Sequence, residues 1–521
     1  MKTSRERREK YCSIIGAHLA MAPLSFLWIY GNLSAYMDSY FHFSCSPKCT
    51  DADAHWIISL YNGLTCPGIF LERPLERRLG LKWTGIVAMV TCALALFGSA
   101  WVLQQSVAWT AVLYGVLLGH SVGVTLSVSF QIVTNWAPDK AAILVATSTG
   151  AATGLSIIEN QLITAYVNPR NLKPTSYIGP KMFFSQAEIL NRVPMAVIIY
   201  AAITLFLQVV GYSLITNPPP ASSDQQPSGN SNKKKMEIIE DNRDGHAFPT
   251  SLVTLENATN ANNQKQYGSK NGSNDILDNQ GSSQPEPNGI GRSDHAIFNI
   301  AEKEAVTDIQ ARDVPKSWKP SEAIKTPVFY SLFMFGISIA YGLTLKANYY
   351  KQFALLYIHN DNYLTLVGTL IPVMSTSSRI LYGTCLDKGL FNIKDALVIA
   401  LAINSVMSAF WFIAPQIDAI FYMILVLLLA LTQGTTFVVL PTAAFRIFGP
   451  DHFSNNYGLL YTGILVAGIL SAIVVPPLLH SLGWFWLFTS VSILSLVTIV
   501  MVAATNFNIE ATFTYKVRNK C

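Results

Sequence analysis

Polar and apolar positions along the chain do not alternate. They separate into apolar runs about 20 residues long, each enough to cross a hydrocarbon core of roughly 30 Å as a helix. These runs predict helices over 12–38, 54–72, 82–103, 108–134, 141–166 and 194–216, and then over 326–349, 362–385, 394–414, 418–441, 455–480 and 483–506. The pattern is two sets of six. Between them, residues 217–325 are rich in Asn, Ser, Gly, Gln and charge, too polar to offset the entropy of ordering, and disorder is expected there. The predicted protein is all-α and membrane-spanning. It has an N-terminus over 1–11, a six-helix half over 12–216, a linker over 217–325, a second half over 326–506 and a tail over 507–521.

Composition agrees with a lipid bilayer as the principal partner. Hydrophobic residues make up 51% of the chain and charged residues 13%, where a soluble domain carries about 25% charge. The net charge of +5 is scattered among loops without aromatic platforms, so no nucleic-acid partner is expected. Lys and Arg near the helix ends set orientation. Arg5, Arg7, Arg8 and Lys10, then Arg73, Arg77, Arg78 and Lys82, then Lys233 to Lys235, then Lys516, Arg518 and Lys520 assign both termini and the linker to the cytosol. The loop after helix 5, with Arg170, Lys173 and Lys181, is basic yet external in this topology. Sequons at Asn257 and Asn271 then face the cytosol and read as chance matches. Met1 to Lys10 is too charged, and the apolar run after it too long, for a cleaved signal. With no organelle address legible, the plasma membrane is the default.

Cys12, Cys66, Cys92, Cys385 and Cys521 lack metal-ligand spacing and read as core residues, whereas Cys45 and Cys49 sit in a polar external loop where a disulfide forms readily. No nucleophile-base set, HExxH or phosphate loop is present, so neither an enzyme nor a cofactor is expected.

The 6+6 arrangement resembles the major facilitator superfamily. In the loop after helix 2, Gly68, Glu72, Arg73, Glu76, Arg77, Arg78 and Gly80 follow a degenerate form of that family's loop motif, and Gly383-Thr384-Cys385-Leu386-Asp387-Lys388-Gly389 after helix 8 is a closer form. The resemblance implies that Gly68, Arg73, Arg77, Gly80, Gly383, Asp387 and Lys388 clamp helix ends in one conformational state. Tyr30-Gly31-Asn32-Leu33-Ser34-Ala35-Tyr36, Asn135-Trp136-Ala137-Pro138-Asp139-Lys140, Lys319-Pro320 through Pro327, Tyr363 through Gly368 and Asn456 through Tyr461 are similar to the oxalate/formate antiporter-like branch, next to the monocarboxylate transporters.

Arg379 falls in the middle of helix 8, where a charge is expensive and faces a cavity or a partner. Its guanidinium binds a carboxylate through two parallel hydrogen bonds. The resemblance implies the same role, since a helix 8 arginine binds substrate carboxylate in both related families. The alternative is a gate arginine paired with Asp387. The oxalate carrier is expected to add a helix 11 lysine, which 455–479 lacks. A single fixed cation then favours a monoanion such as pyruvate, lactate or formate over oxalate. Ser375 stands where a monocarboxylate transporter normally has an aspartate.

Glu159 and His120 are the proton-coupling candidates. For Glu159 the alternative is an outer-end carboxylate in water or bonded to Asn160 or Gln161. For His120 it is a packed ring bonded to Ser121 or Ser127. Tyr30, Asn32, Tyr36 and Tyr61 supply polar groups for orienting a small acid. Lys346 is expected to snorkel to the interface, with anion guidance as the alternative. Gly150 and Gly154, and Gly458, Gly463 and Gly468, are expected at close helix contacts, and Pro372, Pro441 and Pro476-Pro477 at bends. The leading function is secondary active transport of a small carboxylate by alternating access. The rivals are a transporter-fold carboxylate sensor signalling through the linker and an oxalate/formate-type exchanger.

Overall fold

The computed structural model describes residues 2–45, 54–137, 141–216, 317–449 and 452–507. Linker residues 217–316, the two sequons, Cys49 and tail residues 508–521 lie outside them, as does the side chain of Asp387, whereas 317–325, within the segment expected to be disordered, carries a short helix at Pro320–Ala323 with Ala323 buried.

Twelve membrane helices form two halves. In the first, α1 runs through Lys2–Ala20, a 3-10 turn at Ala22–Ser25 and Phe26–Ser44; α2 is His55–Leu79 and α3 Leu81–Val102. The next, α4, begins at Val107–Thr110, passes a π segment at Ala111–Leu117 and continues over Leu118–Trp136; α5 is Ala141–Val167 and α6 Val193–Leu214. In the second half α7 is Pro327–Ala354, α8 Asp361–Asp387, α9 Ile393–Trp411 and α10 Ala419–Phe448. The continuous segment Phe453–Ala504 holds two crossings, α11 over 453–482 and α12 over 484–504, separated at Gly483 with φ 79° and ψ −175°. The break therefore falls at a glycine that accepts positive φ, while Pro476 and Pro477 stay inside α11.

Nine stretches among the described residues are long and apolar enough to cross a membrane, Asn455–Ala504 counted as one. The helix α2 carries the buried Glu72, and α5 carries the buried Glu159, Asn160 and Thr164. A chain that hides polar groups between helices keeps its lipid face apolar.

One end of the bundle carries a small antiparallel hairpin, Ser176–Ile178 paired with Lys181–Phe183. The other carries the ends of the linker, where Ser13 and Trp136 hydrogen-bond Thr216, and Trp318 hydrogen-bonds Phe448. These are called the hairpin end and the linker end. The halves meet along α1 with α7, α2 with α11 and α5 with α8. On α11, Gly468 approaches Gly63 of α2 so closely that a Cβ would lie 2.6 Å from the Gly63 Cα. Gly463 and Gly458 pack likewise on Phe333 and Phe70. Gly150 and Gly154 do not, since a Cβ on either meets nothing within 4 Å.

Candidate functional site

On α7, Leu343, Lys346, Ala347 and Tyr350 share one face, because residues three and four apart stack along a helix. That face meets Leu27, Trp28 and Gly31 of α1, Ile371 of α8 and Gln433 of α10, and together they line a small cavity between the halves. Its lining is mostly apolar, with the Lys346 ammonium and the Gln433 amide as its polar groups, while Tyr350 lines it with its ring and turns its hydroxyl to Gly368. All three are buried without a hydrogen-bond partner among the described residues. Lys346 is 2% exposed, which overturns its expected snorkelling to the interface. The charge stays at the seam between the halves because four helices surround it there. The premise of a single cation between the halves falls with it.

Arg379 lies toward the linker end. Its guanidinium stacks 4.6 Å from the ring of Phe437, one turn of α10 beyond Gln433, and Nη1 donates to Thr149 of α5 at 3.2 Å. Nε has no partner among the described residues. The backbone of α8 is drawn against α10 at this point by Gly434, whose Cβ would stand 2.8 Å from the Arg379 amide nitrogen. Ser375, one turn earlier, is fully buried, and its hydroxyl has no partner among the described residues.

Toward the hairpin end a polar layer joins the halves. Lys351 Nζ lies 2.5 Å from Asp361 Oδ1, both side chains buried. Lys351 also donates to Asn32 at 2.5 Å and Tyr36 at 3.1 Å, and stands 4.2 Å over the Tyr36 ring. Asp361 accepts from the Tyr36 hydroxyl and from Asn168 at 2.7 Å. A second carboxylate, Asp38 of α1, accepts from Gln352 of α7 at 2.7 Å and pairs with Lys181 of the hairpin at 2.8 Å. His55 reaches Ser471 of α11 at 2.8 Å and stacks on Tyr349. Below the layer, Thr164 and Gln161 of α5 bond Thr365 and Thr369 of α8. Tyr350 fills the space between, its ring against Gly31 and its hydroxyl against Gly368.

The sequence-predicted residues are thus distributed over several places. Asn32 and Tyr36 belong to the polar layer rather than to the cavity lining. Tyr30 donates to the Ala54 carbonyl and Tyr61 to that of Pro23 at 3.4 Å, both turned into the first half. Glu159 is 2% exposed, in a groove between α5 and α6 with Tyr166 and Tyr200, and neither carboxylate oxygen has a hydrogen-bond partner among the described residues. Asn160 bonds the Trp28 carbonyl and Gln161 bonds Thr369, so neither serves Glu159. His120 Nδ1 bonds the Val116 carbonyl of its own helix at 2.9 Å, in place of the serine expected.

In the loop motifs, Gly68 packs on the His120 backbone of α4, Glu72 is buried and accepts from Gln131 at 2.8 Å, and Gly80, at φ 81°, turns the chain from α2 into α3. Gly383 faces Val438 of α10, and Lys388 is exposed. Cys45 is disulfide-bonded, and its expected partner Cys49 lies outside the described residues. Cys66 and Cys92 are buried free thiols, and Cys12 and Cys385 are partly buried.

The sequence reading missed Asp38, Lys351 and Asp361 because charges near helix ends look like interfacial flanks. The spacing of Lys346 and Tyr350 by four residues was the legible signal for the cavity face.

Residues 15–472 match the Major Facilitator Superfamily. The chain is 21% identical over 534 residues to "Apicoplast pyruvate carrier 1" of Toxoplasma gondii, covering 92% of this chain and 86% of that protein. Its fold is similar to the inward-open xylose transporter XylE from E. coli, with TM-score 0.56 and 11% identity over 97% of this chain and 98% of that one. It is also similar to the nucleoside transporter NupG, with TM-score 0.52 and 13% identity over 98% of this chain and 100% of that one.

Proposed function

The chain belongs to the major facilitator superfamily, and from that premise we propose that it is a secondary active transporter of small monocarboxylates of the pyruvate, lactate or formate type, working by alternating access. The observation that carries this reading is Arg379. It is a cation deep in a membrane helix at the seam between the halves, held by a ring and a threonine hydroxyl. Such a group costs about 2.5–3.5 kcal/mol or more at mid-membrane and marks a substrate path. The related pyruvate carrier supports the substrate class.

Alternating access requires each end to close in turn. The polar layer around Lys351 and Asp361 serves as the closure at the hairpin end. The loop motifs around Arg73 and Asp387 act at the linker end. The linker end faces the cytosol in this reading, following the Lys and Arg of 5–10 and 73–82. The basic hairpin loop fits outside because Arg170 pairs with Glu188 and Lys181 with Asp38. The plasma membrane is the proposed residence, checked by microscopy of a tagged chain.

Uptake of labelled pyruvate, lactate, formate and oxalate into proteoliposomes tests the function. Carboxylate uptake lost in Arg379→Ala is the expected result. Uptake unaffected by that change removes the anchor. Specific binding without uptake favours a sensor, and oxalate preferred over the monocarboxylates favours an exchanger.

A further inference from the structure

We propose that the Lys346 ammonium, with the Gln433 amide, forms a second and deeper station for the carboxylate, in the cavity bounded by α1, α7, α8 and α10. This rests on the transport reading above and adds a site to it.

The argument begins with the donor set. Lys346 Nζ and Gln433 Nε2 are buried donors without partners among the described residues, and both side chains line the same cavity. No acidic side chain is among the lining residues. A buried ammonium is strongly unfavourable without a counter-charge, and buried polar groups are paired as a rule. Two donors on one cavity, with no carboxylate of the protein's own among the lining residues, match an anionic acceptor, and a carboxylate offers about four lone-pair sites. The remaining lining, Leu27, Trp28, Leu343 and Ile371, is apolar, and at about 10 Å³ the cavity admits a short carbon tail only as the halves part. The ligand class is a short-chain monocarboxylate.

Position separates this station from Arg379. Gln433 and Phe437 are four residues apart on α10, one carrying the Lys346 cavity and the other the Arg379 guanidinium. One helical turn rises about 5.4 Å. Two cations thus succeed each other from the linker end inward, and Tyr350, wedged against Gly31 and Gly368, closes the path beyond Lys346. An anion entering from the linker end meets Arg379 first and comes to rest at Lys346.

The test uses the full-length protein in proteoliposomes and in detergent, with pyruvate, lactate and formate as probes. Lys346→Met is expected to raise KM about 30-fold or more, as loss of a buried charge partner does. It should also abolish the rise in melting temperature that the probe produces, without lowering the melting temperature of the ligand-free protein. Lys346→Arg should restore part of the uptake. Wild-type KM in Lys346→Met overturns the station alone, as does a ligand-free melting temperature that falls, which would make Lys346 structural. If the wild type neither transports nor is stabilised by any probe, the transport reading fails and the station falls with it.

Discussion

Lys351 of α7 and Asp361 of α8 form a buried ion pair whose remaining hydrogen bonds come from the other half of the protein. Asn32 and Tyr36 of α1 meet the lysine, and Tyr36 and Asn168 meet the aspartate. The pair is therefore a hub for the seam. Opening the hairpin end leaves the two charges with each other but strips the groups that satisfy them.

Removing one member should be costly. Asp361→Asn is expected to destabilise the folded protein by about 3–5 kcal/mol, because Lys351 stays buried without its counter-charge. Lys351→Met with Asp361→Leu should recover much of that loss. Thermal melts of Asp361→Leu, Lys351→Met and the double variant give the coupling energy, and additive losses would show that the pair does not act as a unit.

Tyr36→Phe is milder. It removes one hydroxyl from both Lys351 and Asp361 and leaves the ion pair in place. The seam should weaken by about 1–3 kcal/mol, and a cysteine placed at Ala54 should react faster with a membrane-impermeant maleimide. Unchanged labelling would separate Tyr36 from the closure.

Arg379→Lys keeps the charge and loses the flat fork that stacks on Phe437. Loss of one charge-assisted hydrogen bond predicts a KM for the transported carboxylate raised roughly tenfold or more. Concentration-dependent uptake measures it, and an unchanged KM would mean that charge alone suffices.

Gly434→Ala is expected to push α10 away from Ser378 and Arg379, since the added Cβ has no room there. A cost of about 1–3 kcal/mol in stability should accompany a fall in uptake. Gly150→Ala, facing open space, is the control and should leave both unchanged.

Glu159 lies off the cavity, buried and without hydrogen bonds to its carboxylate among the described residues. Buried membrane carboxylates of this kind serve as proton relays. Glu159→Gln should leave the KM for the carboxylate unchanged and abolish stimulation of uptake by an inward proton gradient. Stimulation that persists would remove Glu159 from coupling.

The sequence by itself determined the membrane architecture. Twelve apolar runs in two sets of six, their approximate bounds and the depth of Arg379 follow from the requirement that a lipid-facing helix bury its own backbone and exclude charge. It also marked the α11 glycines as contact points, and Gly468 against Gly63 is such a contact. Which side chains face one another was decided only by the tertiary structure. Lys346 and Lys351 are five residues apart and look alike in the sequence, yet one lines a cavity with Gln433 and the other pairs with Asp361. A helix offers each side chain only a direction. The partner it meets there depends on which helix of the other half packs against that face, and helices with equally apolar exteriors carry no signal of their neighbours.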